Sequence, residues 1–308
     1  MASVLITGTS KGIGMATALV LARTGHIVYA TMRNPVASPE LSIIARDESL
    51  PIKIMTVDVD KDDSVKTTID TIINEHGSID VLINNAGLES DGSVEELDFA
   101  VFRAVMETNY FGALRCIKAV LPHMRSRKQG CIINVTSIAG RISASPLGAY
   151  NASKWALEGL SETLAQELKP FNIRVAIVEP GIIDTEMARR IADPHGASLY
   201  PHMHRFAGMF TASLKNPTSP MVVAEKMLEI IESGTGKLRH PAGPDAEPFL
   251  QWRASLTDEQ WVDWGATDDN NWYQLVERDF GLDARLEKEM TITFVHPPEI
   301  KEEQIKVN

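Results

Sequence analysis

The sequence is poor in cysteine and has no excess of basic residues. Cys116 and Cys131 are its only two cysteines, and both lie within apolar segments. They argue against a disulfide framework or a cysteine-based metal site, and are typical of small core residues in a reducing compartment. The net charge of −11 and the pI near 5.2 argue against nucleic acids and anionic membranes as partners, because these bind basic surfaces.

Long hydrophobic runs are also missing. No apolar stretch is long enough to span a bilayer, and no basic segment precedes the first apolar run at the N-terminus. Internal repeats and low-complexity tracts are absent from the sequence as well. We therefore expect a soluble, cytoplasmic protein, and 308 residues suffice for one large α/β domain with an appendage.

The sequence does contain a regular alternation of short apolar runs and amphipathic stretches. The apolar runs predict strands at Val4–Ile6, Ile27–Ala30, Ile52–Val57, Val81–Asn84, Ile132–Val135 and Val175–Val178. The amphipathic stretches predict helices that include Ser64–Glu75, Phe99–Met124 and Asn151–Leu168. Such alternation is typical of βαβ crossovers and predicts a Rossmann-type, doubly wound α/β fold with a mainly parallel sheet and helices on both faces. Ligands then bind at the carboxyl ends of the strands.

A glycine-rich turn follows the first predicted strand. Gly8, Gly12 and Gly14 are spaced GxxxGxG and lead into an apolar helical pattern. A strand, a glycine turn and a helix N-terminus make an anion site, because backbone N–H groups and the helix dipole point at a pyrophosphate. The spacing is neither GxGxxG nor that of a P-loop, and by itself it is also compatible with a simple tight βα connection.

A serine, a tyrosine and a lysine follow the fifth predicted strand. If Tyr150 opens a helix, Lys154 lies one turn further on the same face, where its ammonium group would lower the pKa of the phenol. Ser137 supplies a second hydroxyl, which can act on the same oxygen as the phenol. The alternative is that all three are ordinary turn and helix-surface residues.

Several motifs together resemble the classical short-chain dehydrogenase/reductase family. They are TGTSKGIG at 7–14, NNAG at 84–87, Asn109, Ser137, YNASK at 150–154 and PG at 180–181. They occur in the family's order and spacing over roughly the first 235 residues. The resemblance implies an oxidoreductase whose Rossmann catalytic domain spans residues 1–240.

The resemblance also implies catalytic roles for four residues. Tyr150 protonates the substrate oxygen in reduction, or removes its proton in oxidation, while Ser137 holds that oxygen. Lys154 binds the nicotinamide ribose and lowers the tyrosine pKa. Asn109 anchors a water that links the lysine to solvent. No metal is required, and His195, His202 and His204 lack the further ligands of a recognisable metal site.

The end of the second strand bears on the cofactor. Binding of NAD(H) favours a carboxylate there, whereas the 2′-phosphate of NADP(H) favours cations. Met32 occupies the carboxylate position, and Arg33 and Lys11 are cations near the same ribose. This pattern resembles NADPH-preferring members of the family, although both cations could also be solvated surface residues.

The cofactor contacts that the resemblance implies extend along the whole strand edge. Asp58 and Val59 match the adenine contact, and Ile183 and Thr185 match contacts to the nicotinamide carboxamide or the phosphate. The complete predicted set is Gly8, Ser10, Lys11, Gly12, Ile13, Gly14, Arg33, Asp58, Val59, Asn85, Ala86, Gly87, Tyr150, Lys154, Pro180, Gly181, Ile183 and Thr185.

A long segment, residues 186–218, is predicted to bind the substrate. Its methionines and aromatics are Met187, Tyr200, Met203, Phe206, Met209 and Phe210. Adaptable methionines with aromatics suit an apolar ligand, so we expect a mid-sized hydrophobic ketone, aldehyde or secondary alcohol. Ser137, Ala144, Leu147 and Tyr150 would line the same pocket. The alternative is that the apolar side chains of the segment only close the core.

Residues 241–308 form a C-terminal extension beyond the family pattern. Four of the five tryptophans lie there, at 252, 261, 264 and 272, which is wrong for a disordered tail. Thr257 is predicted to cap a helix, and Met290–Val295 alternates like a strand. We expect the extension to pack on the domain or on a partner subunit. The resemblance implies a homodimer or homotetramer.

The sequence thus favours an NADPH-dependent carbonyl reductase or the corresponding alcohol dehydrogenase, and an NAD-linked alcohol dehydrogenase is an alternative. An epimerase or dehydratase of the same fold is a second alternative, although these usually have different glycine spacing. A catalytically silent NADP(H)-binding regulator is a third. The intact set of Asn109, Ser137, Tyr150 and Lys154 argues against the regulator, because a sensor needs no catalytic acid.

Overall fold

Seven parallel strands form one sheet in the part of the chain that the computed structural model describes, residues 1–193 and 198–286. They are β1 (Ser3–Thr7), β2 (Ile27–Met32), β3 (Ile52–Thr56), β4 (Val81–Asn84), β5 (Gly130–Val135), β6 (Ile173–Pro180) and β7 (Arg239–Ala242). The spatial order is β3-β2-β1-β4-β5-β6-β7, and every neighbouring pair is parallel. The predicted doubly wound fold is confirmed.

The helices lie between and after the strands. They are α1 (Gly12–Arg23), α2 (Glu40–Asp47), α3 (Asp62–His76), α4 (Phe99–Met106), α5 (Ala113–Arg127), α6 (Gly148–Leu168), α7 (Glu186–Ile191), α8 (His202–Ser213), α9 (Pro220–Ser233), α10 (Ala246–Ala254), α11 (Asp258–Ala266) and α12 (Asp269–Phe280). No helix of the described residues is both long enough and apolar enough to cross a bilayer.

Alternating strand side chains divide the core into two layers. Val4 and Ile6 of β1 belong to one buried cluster, with side chains of α1 and α9. Leu5 belongs to the other, with side chains of α3, α5 and α6. Successive strand residues point to opposite faces, so the continuous apolar runs of these strands are what a sheet covered on both faces requires.

The predicted helix Phe99–Met124 contains a change of helical geometry. The chain is α-helical in α4, π-helical over Glu107–Gly112, and α-helical again in α5. Asn109 lies inside the π-helical turn and is buried. Such turns occur frequently at functional sites, because they redirect side chains and backbone groups within one helix.

The strand order places the candidate site. The chain runs outward from β1 through β2 to β3 on one side, and from β4 to β7 on the other. The crevice at this reversal lies at the carboxyl ends of β1 and β4, where doubly wound folds bind ligands. The glycine turn after β1 and the NNAG motif at the end of β4 therefore meet there.

The C-terminal extension continues the fold of the same chain. β7, which the sequence did not predict, includes residue 240, the predicted boundary, and adds to the edge of β6. Thr257 caps α11 as predicted, in a capping box with Gln260. Trp272 and Val276 of α12 form a buried cluster against which Met209 of α8 packs. The predictions at His195 and Met290–Val295 fall outside the described residues.

Candidate active site

A cavity of about 710 Å³ opens along the carboxyl ends of the strands. Every residue predicted to bind the cofactor lines it, from Gly8 to Thr185, as do Ser137, Ala144, Leu147 and Tyr150. Of the predicted catalytic and cofactor-binding residues, only Asn109 does not line it. Residues far apart in the sequence are thus brought to one cleft, of a size typical of small-molecule sites.

The glycine turn is shaped by close backbone contacts. A Cβ at Gly8, where φ is +71°, would lie 2.7 Å from the Cα of Ala86. One at Gly14 would lie 2.2 Å from the carbonyl oxygen of Gly8. Asn85 donates from Nδ2 to the carbonyl oxygens of Thr7 and Gly8, at 2.9 and 3.0 Å, which joins the ends of β1 and β4.

The N-terminus of α1 is suited to a pyrophosphate. Lys11, the residue before the helix, supplies no side-chain cap. The first N–H groups of the helix are therefore available to an anion, with the positive end of the helix dipole behind them. Together with the cradle of glycines, this arrangement fits a dinucleotide cofactor.

The two predicted phosphate-binding cations differ in their surroundings. Arg33 is exposed at the cavity, and its guanidinium makes no hydrogen bond or ion pair within residues 1–193 and 198–286. Lys11 is paired with Glu186, with Nζ 2.5 Å from Oε2 and both side chains more than half exposed. Pairs this exposed contribute only about 0–1 kcal/mol, so a phosphate can displace Glu186 from Lys11.

Ser137, Tyr150 and Lys154 line the same cavity. Tyr150 and Lys154 are one turn apart on α6, and a side-chain hydrogen bond joins Ser137 to Tyr150. Lys154 is 4% exposed; its Nζ donates to the carbonyl oxygen of Val135 at 2.9 Å and lies 5.5 Å from the centre of the Tyr150 ring. The predicted triad geometry is present.

The pKa of Tyr150 is raised in the protein alone, not lowered as the proximity of Lys154 predicted. Burial raises the pKa of Tyr150 to about 12, with a smaller upward contribution from Glu89, although the hydrogen bond from Ser137 acts in the opposite direction. Burial likewise lowers the pKa of Lys154 to about 8, against the opposing charge of Glu158. Both pKa shifts have the same main cause, because a low-dielectric site disfavours the charged form of each group.

Asn109 acts on the backbone around the site. Its Oδ1 accepts from the N–H of Leu88 at 2.7 Å, and its Nδ2 donates to the carbonyl oxygen of Leu88 and to Oγ of Ser153, both at 2.9 Å. The side chain therefore fixes the segment after β4 against α6. The water relay implied by the family stays a prediction.

Three carboxylates near the site were not predicted. Glu89 lines the cavity beside Tyr150, and Arg190 of α7 pairs with it at 2.8 Å. Glu158 and Glu179 are buried behind Lys154 and share the guanidinium of Arg239 at 3.0 and 3.6 Å. The position of Glu158, one helical turn after Lys154, was the one available sequence signal.

These carboxylates are held in unfavourable electrostatic surroundings. Burial raises the pKa of Glu89, although Arg190 opposes the rise. Glu179 is 1% exposed, and burial raises its pKa to about 7, with a further upward contribution from Glu158. Strongly perturbed groups of this kind are typical of functional sites.

Aromatic and aliphatic side chains from α8 and the C-terminal extension also line the cavity. Phe206, Met209 and Phe210 of α8 belong to it, as the sequence predicted, whereas Tyr200 and Met203 do not line the cavity. The C-terminal extension adds Phe249, Trp252, Trp261, Trp264, Trp272 and Phe280. We call these six residues the aromatic wall. Only the tryptophan content of the extension hinted at it.

No group of three or more His, Cys, Asp or Glu side chains that could hold a metal ion occurs in the described ranges. Cys116 and Cys131 are buried free thiols. Burial raises the pKa of both thiols, to about 12 and about 11, so neither is a reactive thiolate at neutral pH.

Curated proteins similar to the chain include two with named activities. A 3-ketodihydrosphingosine reductase of Bacteroides thetaiotaomicron is 37% identical over 251 residues, which cover 78% of this chain and 87% of that protein. Retinol dehydrogenase 8 of Bos taurus is 34% identical over 266 residues, which cover 82% and 85%.

Solved structures similar to the chain show the same architecture. A short-chain dehydrogenase from Streptomyces avermitilis has a TM-score of 0.72 and 31% identity, covering 86% of this chain and 97% of that one. A short chain dehydrogenase from Burkholderia cenocepacia, in complex with NADP, has a TM-score of 0.68 and 27% identity, covering 87% and 98%.

The family model described as short chain dehydrogenase matches residues 2–195. That range is more than half of the chain and contains the glycine turn, the NNAG motif and all four predicted catalytic residues. The chain therefore belongs to the short-chain dehydrogenase family of oxidoreductases.

Proposed function

We propose that the protein is an NADPH-dependent reductase that converts the ketone or aldehyde group of a mid-sized apolar substrate into an alcohol. The observation that carries the proposal is the position of Ser137, Tyr150 and Lys154. They line one cavity together with the glycine turn and the aromatic wall. A nicotinamide dinucleotide and an apolar carbonyl compound can therefore meet at the tyrosine.

Each side chain has a defined task in this proposal. NADPH, when bound, supplies the hydride. Tyr150 donates its hydroxyl proton to the substrate oxygen, and Ser137, which is hydrogen-bonded to Tyr150, orients the same oxygen. Lys154 presents a buried cation one turn along α6, where it stabilises negative charge that develops on the tyrosine. Asn109 holds the adjacent backbone in place.

The pKa of Tyr150 supports the direction of reduction. At about 12, the phenol is protonated throughout the physiological range, which suits a proton donor. Oxidation of an alcohol would instead need the phenolate as base, and burial disfavours that form.

We expect kcat/KM for carbonyl reduction to fall as pH rises through about 8. Lys154 is cationic below its pKa of about 8 and loses its charge above it, whereas Tyr150 stays protonated to about 12. The decline should approach about tenfold per pH unit above the lysine pKa. Initial rates between pH 6 and 10 measure it, and a flat profile to pH 10 would contradict the assignment of Lys154.

The cofactor proposal rests on Arg33, which lines the cavity with the glycine turn and has no ion pair among the described residues. The substrate proposal rests on the aromatic wall and the apolar residues of α8. The names of the two relatives specify reduction of a 3-keto group in one and dehydrogenation of retinol in the other. Chemistry between a carbonyl and an alcohol on this fold is consistent with both names.

The test is nicotinamide consumption over a panel of carbonyl compounds, with NADPH and NADH in parallel. The panel comprises aldehydes, alicyclic and aromatic ketones, and steroid-like ketones, with small polar carbonyls as controls. We expect turnover of an apolar class with NADPH. Turnover of small polar carbonyls alone would contradict the substrate class, and NADPH binding without any turnover would favour a silent regulator.

Assembly and location are parts of the same proposal. Phe111 in the π-helical turn and Trp155 of α6 are 42% and 47% exposed. Exposed large apolar side chains on these two helical segments support a homodimer or homotetramer. The two buried free thiols support a reducing compartment such as the cytoplasm. We retain a catalytic domain at 1–240 with a substrate segment at 186–218.

A further inference from the structure

The segment that follows β6 is fixed by residues far away in the sequence. The N–H of Gly181 donates to the carbonyl oxygen of Ala242 at 3.0 Å, and the N–H of Ile182 donates to Oδ2 of Asp245 at 2.7 Å. Ala242 is the last residue of β7, and Asp245 lies three residues after it. They lie beyond residues 2–195, which the family model matches.

The carboxylate of Asp245 also explains the glycine at position 181. A Cβ on Gly181 would lie 2.2 Å from Oδ1 of Asp245. Gly243, with φ of +108°, turns the chain just before Asp245, and a Cβ there would lie 3.0 Å from the same oxygen. Two glycines thus make room for one carboxylate, which packs directly on the backbone of the cavity wall.

This carboxylate is only partly satisfied. Its Oδ1 is buried and has no hydrogen-bond partner among the described residues, and burial raises the pKa of the group. A buried oxygen without a partner costs free energy that an apolar side chain would avoid. Packing alone therefore does not explain why a carboxylate occupies position 245. A need for a strong, charge-assisted acceptor for the N–H of Ile182 does explain it.

The anchoring leaves one donor free in the cavity wall. Asp184, on the far side, donates its N–H to the carbonyl oxygen of Thr218 at 2.9 Å. Ile183 lies between the two anchored residues, lines the cavity and has an N–H without a partner within the described residues. The segment is therefore held before and after a single unpaired donor.

We propose that Asp245 is a positioning residue, which holds residues 181–183 in the shape that receives the nicotinamide end of the cofactor. The inference rests on the proposed function, because it assumes that a nicotinamide dinucleotide occupies the cavity. It assigns to the C-terminal extension a part in cofactor binding that is separate from the aromatic wall.

Binding measurements on the full chain test the proposal without any turnover. Asp245→Ala should weaken NADPH binding by about 10- to 100-fold, the equivalent of a hydrogen bond to a charged group. Adenosine 2′,5′-bisphosphate, which lacks the nicotinamide half, should bind the variant as it binds the wild type. Fluorescence titration or calorimetry gives both dissociation constants. Equal weakening of the two ligands, or unchanged NADPH binding, would overturn the proposal.

Two further variants separate positioning from loss of stability. Asp279→Ala removes another carboxylate of the extension, 11% exposed, which accepts from Nε1 of Trp264. This control should leave the ratio of the two dissociation constants unchanged. Asp245→Asn keeps a neutral acceptor and should weaken NADPH selectively but less, by about threefold. If Asp245→Ala fails to fold, the selectivity of the asparagine variant decides.

Failure of this inference can be told apart from failure of the proposed function. A wild-type protein that binds neither NADPH nor adenosine 2′,5′-bisphosphate would overturn both. A wild type that binds both ligands, with Asp245→Ala indistinguishable from it, would overturn only the role of Asp245.

Discussion

Replacing Tyr150 with phenylalanine is expected to lower kcat for carbonyl reduction by about 10²- to 10⁴-fold, the usual contribution of general acid catalysis. The variant lacks the hydroxyl proton that the substrate oxygen receives, and no other tyrosine lines the cavity among the described residues. Ser137 cannot replace it, because a serine hydroxyl is a far weaker acid than a phenol.

NADPH binding by the Tyr150→Phe variant should remain within about twofold of the wild type, since Lys154 and the glycine turn are unchanged. Tyr110→Phe is the matched control. Tyr110 lies in the π-helical turn next to Asn109 and does not line the cavity, so its variant should keep full activity. Stopped-flow or steady-state NADPH oxidation gives the rates, and a Tyr150→Phe variant with more than about a tenth of wild-type kcat would exclude Tyr150 as the acid.

Replacing Arg33 with alanine is expected to lower the preference for NADPH over NADH, expressed as the ratio of kcat/KM, by about 10- to 100-fold. The guanidinium is exposed at the cavity and makes no competing ion pair within the described part of the chain. Its full charge is therefore available to a 2′-phosphate, and NADH gains nothing from it.

Replacing Arg33 alone is a cleaner test than also placing a carboxylate at Met32. Met32 is 3% exposed and belongs to the core cluster of α1 and β1, so a carboxylate there would bear the cost of a buried charge. Arg46 of α2 is exposed and does not line the cavity, so Arg46→Ala is the control and should leave the ratio unchanged. If the Arg33→Ala ratio also stays at the wild-type value, the account of cofactor preference fails.

Lys11 is expected to contribute less than Arg33 to this preference. Its ion pair with Glu186 must be broken before it can bind a phosphate. The sequence placed both cations near the adenosine ribose, but it could not show that a glutamate 175 positions further along the chain competes for one of them. Only tertiary distances distinguish two cations that look equivalent in the sequence.

Much of the fold was predictable because its signals are local. Six strands are mostly apolar runs, which a sheet buried on both faces requires. The edge strand β3 departs from this pattern, because it carries the exposed Lys53. β7 escaped prediction because its sequence, RHPA, has no apolar pattern. It pairs because β6 offers a free edge, and edge pairing depends on backbone hydrogen bonds more than on side-chain type.

The chemistry of the site divides in the same way. Ser137, Tyr150 and Lys154 could be identified because their spacing along one segment is part of the motif, and α6 places two of them on one face. The pKa of Tyr150 could not, because it depends on burial beneath residues from several other elements. Proximity of a lysine predicted a lowered value, whereas burial raises it to about 12.

The sequence by itself determined six of the strands, the glycine turn and the catalytic set. These features depend on residue type and on spacing over a few helical turns or one strand. Only the tertiary structure decided that Asp245 accepts a hydrogen bond from Ile182, that Glu186 forms an ion pair with Lys11 and that the aromatic side chains of the extension line the cavity. These contacts join residues that are 63 or more positions apart, and no local pattern encodes the distance between them.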